Sequence, residues 1–280
     1  MYDEFGEERS TGIKILLFFR GLICVAACIA TVLVGLYFYS NQKADKVNAN
    51  ILATLEEKQG QPVINMSDDS AEYEGKYDFA DKAPVVDFES LREINEDCVA
   101  WIYGCEGTIN YPVVQSRDNV DYLVTAIDGS DTKAGSIFVD RTVREPFEQF
   151  NTRVYGHNMK NGSMFHSLLK YKKEDYYQAH PAFVITTPDG TYQYEIFAAC
   201  FMTKDALPMF SGSNNNRDRK DYLDSVLACS LYDTGVFVNA EDKLVELMTC
   251  EYSGNNNRMV VYAKRSDSVK WGMTQAKNGK

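Results

Sequence analysis

Histidine is scarce in this sequence, since the 280 residues include only three: His157, His166 and His180. The sequence contains no Cys-x-x-Cys pair, no glycine-rich phosphate loop and no zinc-ligand pattern, so it predicts neither a cofactor nor a metal site. Basic residues are also few, because 29 Lys and Arg stand against 40 Asp and Glu, and the formal net charge is -11. This balance excludes the basic face that binding to nucleic acid requires.

An uncharged run of 19 residues, residues 21–39, is long enough to span a bilayer as one helix. A cleaved signal peptide is the alternative, and it would need small residues at the end of the run. The run instead ends in Tyr37, Phe38 and Tyr39, which is typical of an aromatic belt at a membrane surface. We therefore expect an uncleaved anchor.

The charges beside this run predict its orientation. Arg9, Lys14 and Arg20 precede it, whereas only Lys43 and Lys46 follow closely. Because positive charge is retained on the cytoplasmic side, we expect the N-terminus inside and the large C-terminal part outside the cell.

Two β-prone runs near the C-terminus, residues 244–249 and 259–264, enclose a loop that contains Ser253, Gly254 and three asparagines. Cys250 therefore lies where one strand ends, and Arg258 lies where the next begins. Strand ends on a rigid sheet hold reactive groups well. A thiol beside a fixed positive charge indicates a nucleophile, although a cysteine valued only for packing is the common alternative.

A histidine partner for Cys250 is found at another strand end. Residues 152–155 are β-prone and are followed by Gly156, His157 and Asn158. His166 lies in a helix-like segment and is interpreted as a surface or packing residue. His180 precedes Pro181 and is interpreted as a turn residue.

The cysteine count also favours Cys250 as a reactive residue. Five of the seven cysteines follow the apolar run, and an odd number outside the cell implies a free thiol or an intermolecular bridge. Cys98, Cys200 and Cys229 lie in apolar contexts and are predicted to be core thiols. Cys250 is instead followed by a polar loop.

The local patterns predict a mainly β fold. Many short strands with closely spaced turn signals indicate a closed barrel or a sandwich, and periodicity alone does not separate the two. A short helix is predicted for residues 118–125, and residues 221–232 have helical spacing. Pro112 lies within a predicted strand, which implies an edge or a bulge.

Three blocks, INYPVVQ, TRVYGHNMKNGSMF and LMTCEYSGNNNR, resemble in sequence and in order the signature blocks of the sortases, most closely class B. The resemblance covers residues 88–264. The family commonly has Thr-Leu-x-Thr-Cys, whereas this chain has Glu246 in place of the first Thr. Sortases are membrane-anchored cysteine transpeptidases of Gram-positive bacteria. The resemblance implies an eight-stranded β-barrel with N-terminal helices and a helix before the penultimate strand.

The apolar run, the polar stretch after it and the resemblance together give a domain plan. We expect a cytoplasmic leader (1–20), a transmembrane anchor (21–39), an extracellular linker (40–84), a sortase catalytic domain (85–268) and a tail (269–280). Residues 43–58 of the linker have the composition of a helix that continues from the membrane.

The site residues implied by the resemblance are the catalytic trio Cys250, His157 and Arg258. The thiolate of Cys250 would attack a peptide carbonyl, Arg258 would stabilise the oxyanion, and His157 would transfer the proton. Thr249 and Glu251 are expected to contact substrate. Asn110 has two interpretations, a residue of the substrate cleft or a structural residue.

The predicted reaction cuts a C-terminal sorting motif of the LPxTG or NPxTN kind in secreted proteins and joins the product to a peptidoglycan amine. The expected partners are these proteins, the wall amine and membrane lipid. Three alternatives stay open: a pilin-polymerising sortase, an L,D-transpeptidase and a non-catalytic surface scaffold. The L,D-transpeptidase would need Ser-x-Gly-Cys, and Thr249 stands where that glycine belongs.

Overall fold

A computed structural model of the chain describes residues 3–59, 83–115, 117–250 and 256–266. The described residues fall into two compact units divided after Lys43, and each unit is considered by itself. Glu251, the predicted tail (269–280) and residues 60–82 of the predicted linker lie outside the described residues.

The first unit is helical. Helix α1 spans Asp3–Gln59, so it begins in this unit and its last residues belong to the second. Its segment Lys14–Leu36 is long and apolar enough to cross a membrane. The side chains of this segment are exposed, as a lipid-facing helix would have them. The helix also includes residues 43–58, for which the sequence predicted a continuation.

The second unit is built on a closed barrel of eight strands in the order β1-β2-β3-β4-β7-β8-β6-β5. The predicted eight-stranded barrel is therefore confirmed. The β2–β3 and β4–β7 pairs are parallel, and the other pairs are antiparallel. The strands are β1 Cys98–Gly104, β2 Ile109–Val114, β3 Ile137–Val139, β4 Asn151–Tyr155, β5 Ala182–Thr187, β6 Gly190–Thr203, β7 Leu244–Cys250 and β8 Asn257–Arg265.

Pro112 fits into this closed barrel because the pairing between β2 and β3 is short and does not include it. It lies opposite Trp101 of β1, while the pairing of β2 with β3 includes only Val113 and Val114. Its missing N–H therefore costs no hydrogen bond on the β3 side.

In the part of the chain that the structure describes, the barrel is accompanied by the α-helices α2 (Phe88–Ile94), α3 (Glu174–Ala179) and α4 (Asn216–Cys229). The side chain of Asp87 caps α2 by accepting from the backbone N–H groups of Glu89 and Ser90 at 3.0 and 3.3 Å. As predicted, α4 precedes the penultimate strand.

The helix predicted for residues 118–125 is wrong, because only a single 3-10 turn forms, over Asp121–Leu123. The Asp118 carboxylate accepts from the backbone N–H groups of Val120 and Asp121, and Asn119 adopts a φ of 66°. Such local bonds and a left-handed residue oppose a helix.

The alternation of side chains along β7 separates two apolar cores. Val245 and Leu247 belong to the core inside the barrel, whereas Leu244 and Met248 belong to the core beneath α4, which includes Tyr222. Because successive side chains point to opposite faces, Glu246 falls on the α4 side of the strand.

A disulfide joins Cys200 of β6 to Cys229, the last residue of α4, with the Cα atoms 5.6 Å apart. Both lie in the core beneath α4 as predicted, but they form a disulfide and are not thiols; sequence context does not show which cysteines meet in space. Cys98 and Cys105 are buried free thiols. The disulfide fastens α4 to the barrel wall.

Candidate active site

The strands β4 and β7 bring the chain positions of His157 and Cys250 together. Their parallel register pairs Tyr155 with Met248. One residue further, the hydroxyl of Thr249 donates to the carbonyl of Gly156 at 2.8 Å. His157 directly follows Gly156, and Cys250 directly follows Thr249, so the two residues leave the ladder side by side.

Arg258 lies on the other side of Cys250. Strands β7 and β8 are antiparallel, and their register pairs Cys250 with Arg258. The Arg258 guanidinium donates through Nη1 to the carbonyls of Asn256 and Asn257 at 3.2 and 3.1 Å. The three residues predicted as a trio thus occupy neighbouring positions on or beside three adjacent strands.

The imidazole of His157 is held by a residue that the sequence analysis did not single out. Its Nε2 atom lies 2.8 Å from the carbonyl oxygen of Leu123, the last residue of the 3-10 turn. A carbonyl accepts only, so Nε2 carries the proton of this hydrogen bond. A backbone carbonyl has no side-chain signature, so no sequence pattern could have indicated this contact.

Gly156 fits the ladder beside His157 because it has no side chain. A Cβ there would lie 2.5 Å from Ile137 Cδ1 and 2.6 Å from Phe165 Cδ2, both in the barrel core. The glycine therefore allows the core to close directly beneath the histidine.

The residues predicted to bind substrate have different environments. Thr249 is buried, with its hydroxyl bonded to Gly156. The side-chain oxygen of Asn110 accepts from the Trp101 indole N–H at 2.7 Å, and the backbone carbonyl of Asn110 accepts from the Asn48 side-chain amide at 2.8 Å. Asn110 also lines a cleft of about 400 Å³ within the second unit, between residues 48–52 and the barrel. These contacts favour the structural interpretation of Asn110.

The remaining histidines have other neighbours. Nδ1 of His166 lies 2.7 Å from Oδ1 of Asn158, and the His180 ring packs on Tyr176 with centroids 4.4 Å apart. His180 forms the C-cap of α3, as its predicted turn role requires.

Two of the other cysteines are unsuited to nucleophilic chemistry. Burial raises the pKa of Cys98 to about 12 and also raises the pKa of Cys105. Both therefore stay protonated at neutral pH, and the thiol is a far weaker nucleophile than the thiolate. With Cys200 and Cys229 in a disulfide, Cys250 is left as the candidate beyond the apolar segment.

Comparison with known proteins places the chain in a family. The Sortase domain family matches residues 106–266. Sortase B of Listeria monocytogenes is 37% identical over 180 residues, 64% of this chain and 73% of that protein. Sortase B of Staphylococcus aureus is 34% identical over 179 residues, 63% of this chain and 73% of that protein.

Solved structures agree with the sequence comparison. A complex of Staphylococcus aureus sortase B with substrate has a TM-score of 0.60 and 33% identity, covering 66% of this chain and 85% of that chain. Sortase B of Clostridium perfringens has a TM-score of 0.61 and 31% identity, covering 65% and 100%. The barrel is thus that of a cysteine transpeptidase of the cell wall. The chain belongs to the sortase family, and within it to class B.

Proposed function

We propose that this class B sortase cuts a C-terminal sorting motif of the LPxTG or NPxTN kind in secreted proteins and joins them to a peptidoglycan amine. The observation that carries the proposal is the strand register, which pairs Cys250 with Arg258 and pairs Tyr155 with Met248, two residues before His157 and Cys250 respectively. A Staphylococcus aureus relative has been solved as a sortase B–substrate complex, which supports binding of a substrate by this chain.

The first half of the reaction transfers the substrate to the enzyme. The Cys250 thiolate attacks the carbonyl carbon of the cleaved peptide bond, and the resulting oxyanion is stabilised by hydrogen bonds from Arg258. The C–N bond breaks, and His157 gives a proton to the leaving amine. The product is a thioester between Cys250 and the substrate's new C-terminal residue.

The second half returns the enzyme to its starting state. A wall amine attacks the thioester carbonyl, His157 takes the proton that the amine loses, and the Cys250 thiolate leaves. One amide has been broken and one made, so no oxidant, metal or nucleotide is consumed. Thr249 is buried and donates to the Gly156 carbonyl. It therefore supports this chemistry by holding the residue before His157 in place, and not by contacting substrate.

The proposed location is the cell membrane, with the N-terminus inside and the catalytic domain (85–268) outside. The apolar segment of α1 and the basic residues before it support this orientation. The anchor (21–39) and linker (40–84) would keep the enzyme where exported proteins and lipid-linked wall precursors emerge.

The test uses the full-length protein in nanodiscs with synthetic peptides of each motif. Intact-mass spectrometry should detect an acyl adduct on the wild type and none on Cys250→Ala. His157→Ala and Arg258→Ala should accumulate adduct more slowly, for Arg258 by about 10²–10³ in rate. Addition of an amine should release the adduct as a new amide.

The outcomes separate the alternatives. Release by a wall cross-bridge amine supports wall anchoring, whereas release only by a lysine of another protein indicates pilin polymerisation. An inert Cys250 that neither forms an adduct nor reacts with iodoacetamide would mean a non-catalytic scaffold and would overturn the proposal.

A further inference from the structure

A buried ion pair crosses the same two strands that end at His157 and Cys250. Arg153 of β4 and Glu246 of β7 lie directly opposite each other in the parallel register, with Arg153 Nε 2.5 Å from Glu246 Oε2. The side chains are 11% and 0% exposed. The pair lies four residues before His157 on β4 and four residues before Cys250 on β7.

The second carboxylate oxygen of Glu246 is satisfied by two more donors. Asn151 Nδ2 lies 2.5 Å from Oε1, and the Tyr222 hydroxyl of α4 donates to the same atom. Burial and the charge of Glu246 raise the pKa of Tyr222 well above its ordinary value, so this hydroxyl keeps its proton. One carboxylate therefore holds β4, β7 and α4 together.

The ion pair constrains the register of the two strands. A slip of one residue would turn every side chain of β7 to the opposite face of the barrel wall. A slip of two would keep the faces but leave the Glu246 charge buried without its guanidinium, and such unpaired buried charges are strongly destabilising. Only the native register satisfies both residues.

The position of Glu246 is where this chain departs from the common family pattern of Thr-Leu-x-Thr-Cys. Replacement of a buried ion pair by apolar residues is often neutral for stability, and the best-attested use of buried ionic groups is to specify register. The presence of Glu246 in this chain is therefore explained by the strand register that its ion pair with Arg153 specifies.

We propose that Arg153, Glu246 and Tyr222, here termed the register cluster, are positioning residues that fix β7 against β4 and α4 so that Cys250 meets His157. None of the three is assigned contact with substrate. The inference rests on the proposed roles of Cys250 and His157, and it adds to them the part of the fold that aligns the two residues.

The main test is the double variant Arg153→Met/Glu246→Leu of the full-length enzyme in nanodiscs, assayed with the peptide and amine that the wild type uses. Removal of both charges should leave the enzyme folded, with a melting temperature lowered by the loss of the acceptor for Asn151 and Tyr222. Misalignment should lower kcat between about 10-fold and about 100-fold while KM changes by less than about twofold. A purely structural pair would not produce this split between kcat and KM.

Conservative and control variants sharpen the result. Glu246→Gln retains the shape and an acceptor oxygen, so it should recover part of the kcat that Glu246→Leu loses. Glu148→Gln is the matched control, because Glu148 pairs with Lys243 and Arg265 near the opposite end of β7 and β8. Its kcat and KM should equal those of the wild type.

A folded double variant with wild-type kcat would overturn the proposal. If the double variant does not fold, Tyr222→Phe decides, because it removes a single donor to Glu246. A lowered kcat at unchanged KM supports the register cluster, and an unchanged kcat overturns it. Absence of Cys250-dependent turnover in the wild type would instead count against the proposed function.

Discussion

The Nε2 atom of His157 and the carbonyl oxygen of Leu123 lie 2.8 Å apart, across 34 residues of sequence. Because the carbonyl can only accept, the contact fixes the protonated nitrogen of the neutral ring as Nε2. Nδ1 is then the nitrogen that gains and loses the exchanging proton during the proposed transpeptidation. The backbone of a 3-10 turn thus orients the imidazole that we propose to be catalytic.

The first prediction is the tautomer of His157. Long-range ¹H–¹⁵N correlation spectra of ¹⁵N-histidine-labelled protein should show neutral His157 protonated at Nε2, assigned by the signal lost in His157→Ala. His166 is an internal control, since its Nδ1 faces the Asn158 carbonyl oxygen at 2.7 Å and should carry the proton there. An Nδ1–H tautomer for His157 would contradict the Leu123 contact.

The second prediction concerns Gly156→Ala. The added methyl would approach Ile137 Cδ1 to 2.5 Å and Phe165 Cδ2 to 2.6 Å, so the core beneath His157 must shift. We expect a loss of about 1–3 kcal/mol in unfolding free energy and a lower kcat, measured by chemical denaturation and peptide turnover. Gly35→Ala is the control, because a Cβ there meets no atom within 4 Å. Equal stability of Gly156→Ala and the wild type would contradict the packing described.

The third prediction concerns the Cys200–Cys229 disulfide. It closes a segment with a sequence separation of 29. Loop-closure entropy then assigns it about 3.5 kcal/mol of stability. Cys200→Ala/Cys229→Ala should be less stable by roughly that amount. Reductant should destabilise the wild type and leave the double variant unchanged. Titration of both cysteines as free thiols in unreduced protein would refute the bond.

The fourth prediction concerns the acid stability that Asp140 provides. Burial raises its pKa, but hydrogen bonds from Thr142 and Tyr155 and the charge of Arg153 lower it more, so its pKa lies below 3.8. A depressed pKa gives stability that is present above pH 3.8 and is lost as pH falls through the folded value. Asp140→Asn should therefore cost about 2 kcal/mol at pH 7.

The difference between wild type and Asp140→Asn should narrow as pH falls below 4, since the carboxylate gains its proton there. Denaturation at pH 7, 5 and 3 measures it. Glu148→Gln is a useful comparison, because salt bridges from Lys243 and Arg265 also lower the pKa of a carboxylate that is far more exposed. A difference that stays constant with pH would show that Asp140 is not charged in the folded protein.

Much of the barrel follows from local pattern. Residues 244–249 and 259–264 are continuous β-prone runs, and they form β7 and β8 with boundaries one or two residues longer. Asp87 is a residue type favoured at helix N-caps, and it caps α2. The helix predicted for residues 118–125 was wrong for two local reasons. The Asp118 side chain bonds to the following backbone N–H groups, and Asn119 has a left-handed backbone; the spacing of apolar residues reveals neither.

The contacts that align the site were harder to predict, because they join distant parts of the chain. The sequence indicates Cys250 and His157 as strand ends, yet it carries no sign that β4 and β7 are parallel neighbours. In the sequence, Glu246 stands out only because it departs from a family pattern. Its partners Arg153 and Tyr222 lie on other elements, so the ion pair and the hydrogen bond could not be predicted. The Cys200–Cys229 pairing was hidden for the same reason.

The place of β7 and β8 in the barrel has a consequence for biogenesis. These last two strands lie between β4 and β6, not at the end of the sheet. A nascent chain that has emerged only as far as β6 therefore has open edges on β4 and β6, which are templates for aggregation. Arg153 and Glu246 are 93 residues apart in the sequence, and contacts between residues that are so distant in sequence slow folding. Incomplete chains would thus depend on protection until the β7–β8 hairpin has been made, and Cys250 arrives with the strands that close the barrel.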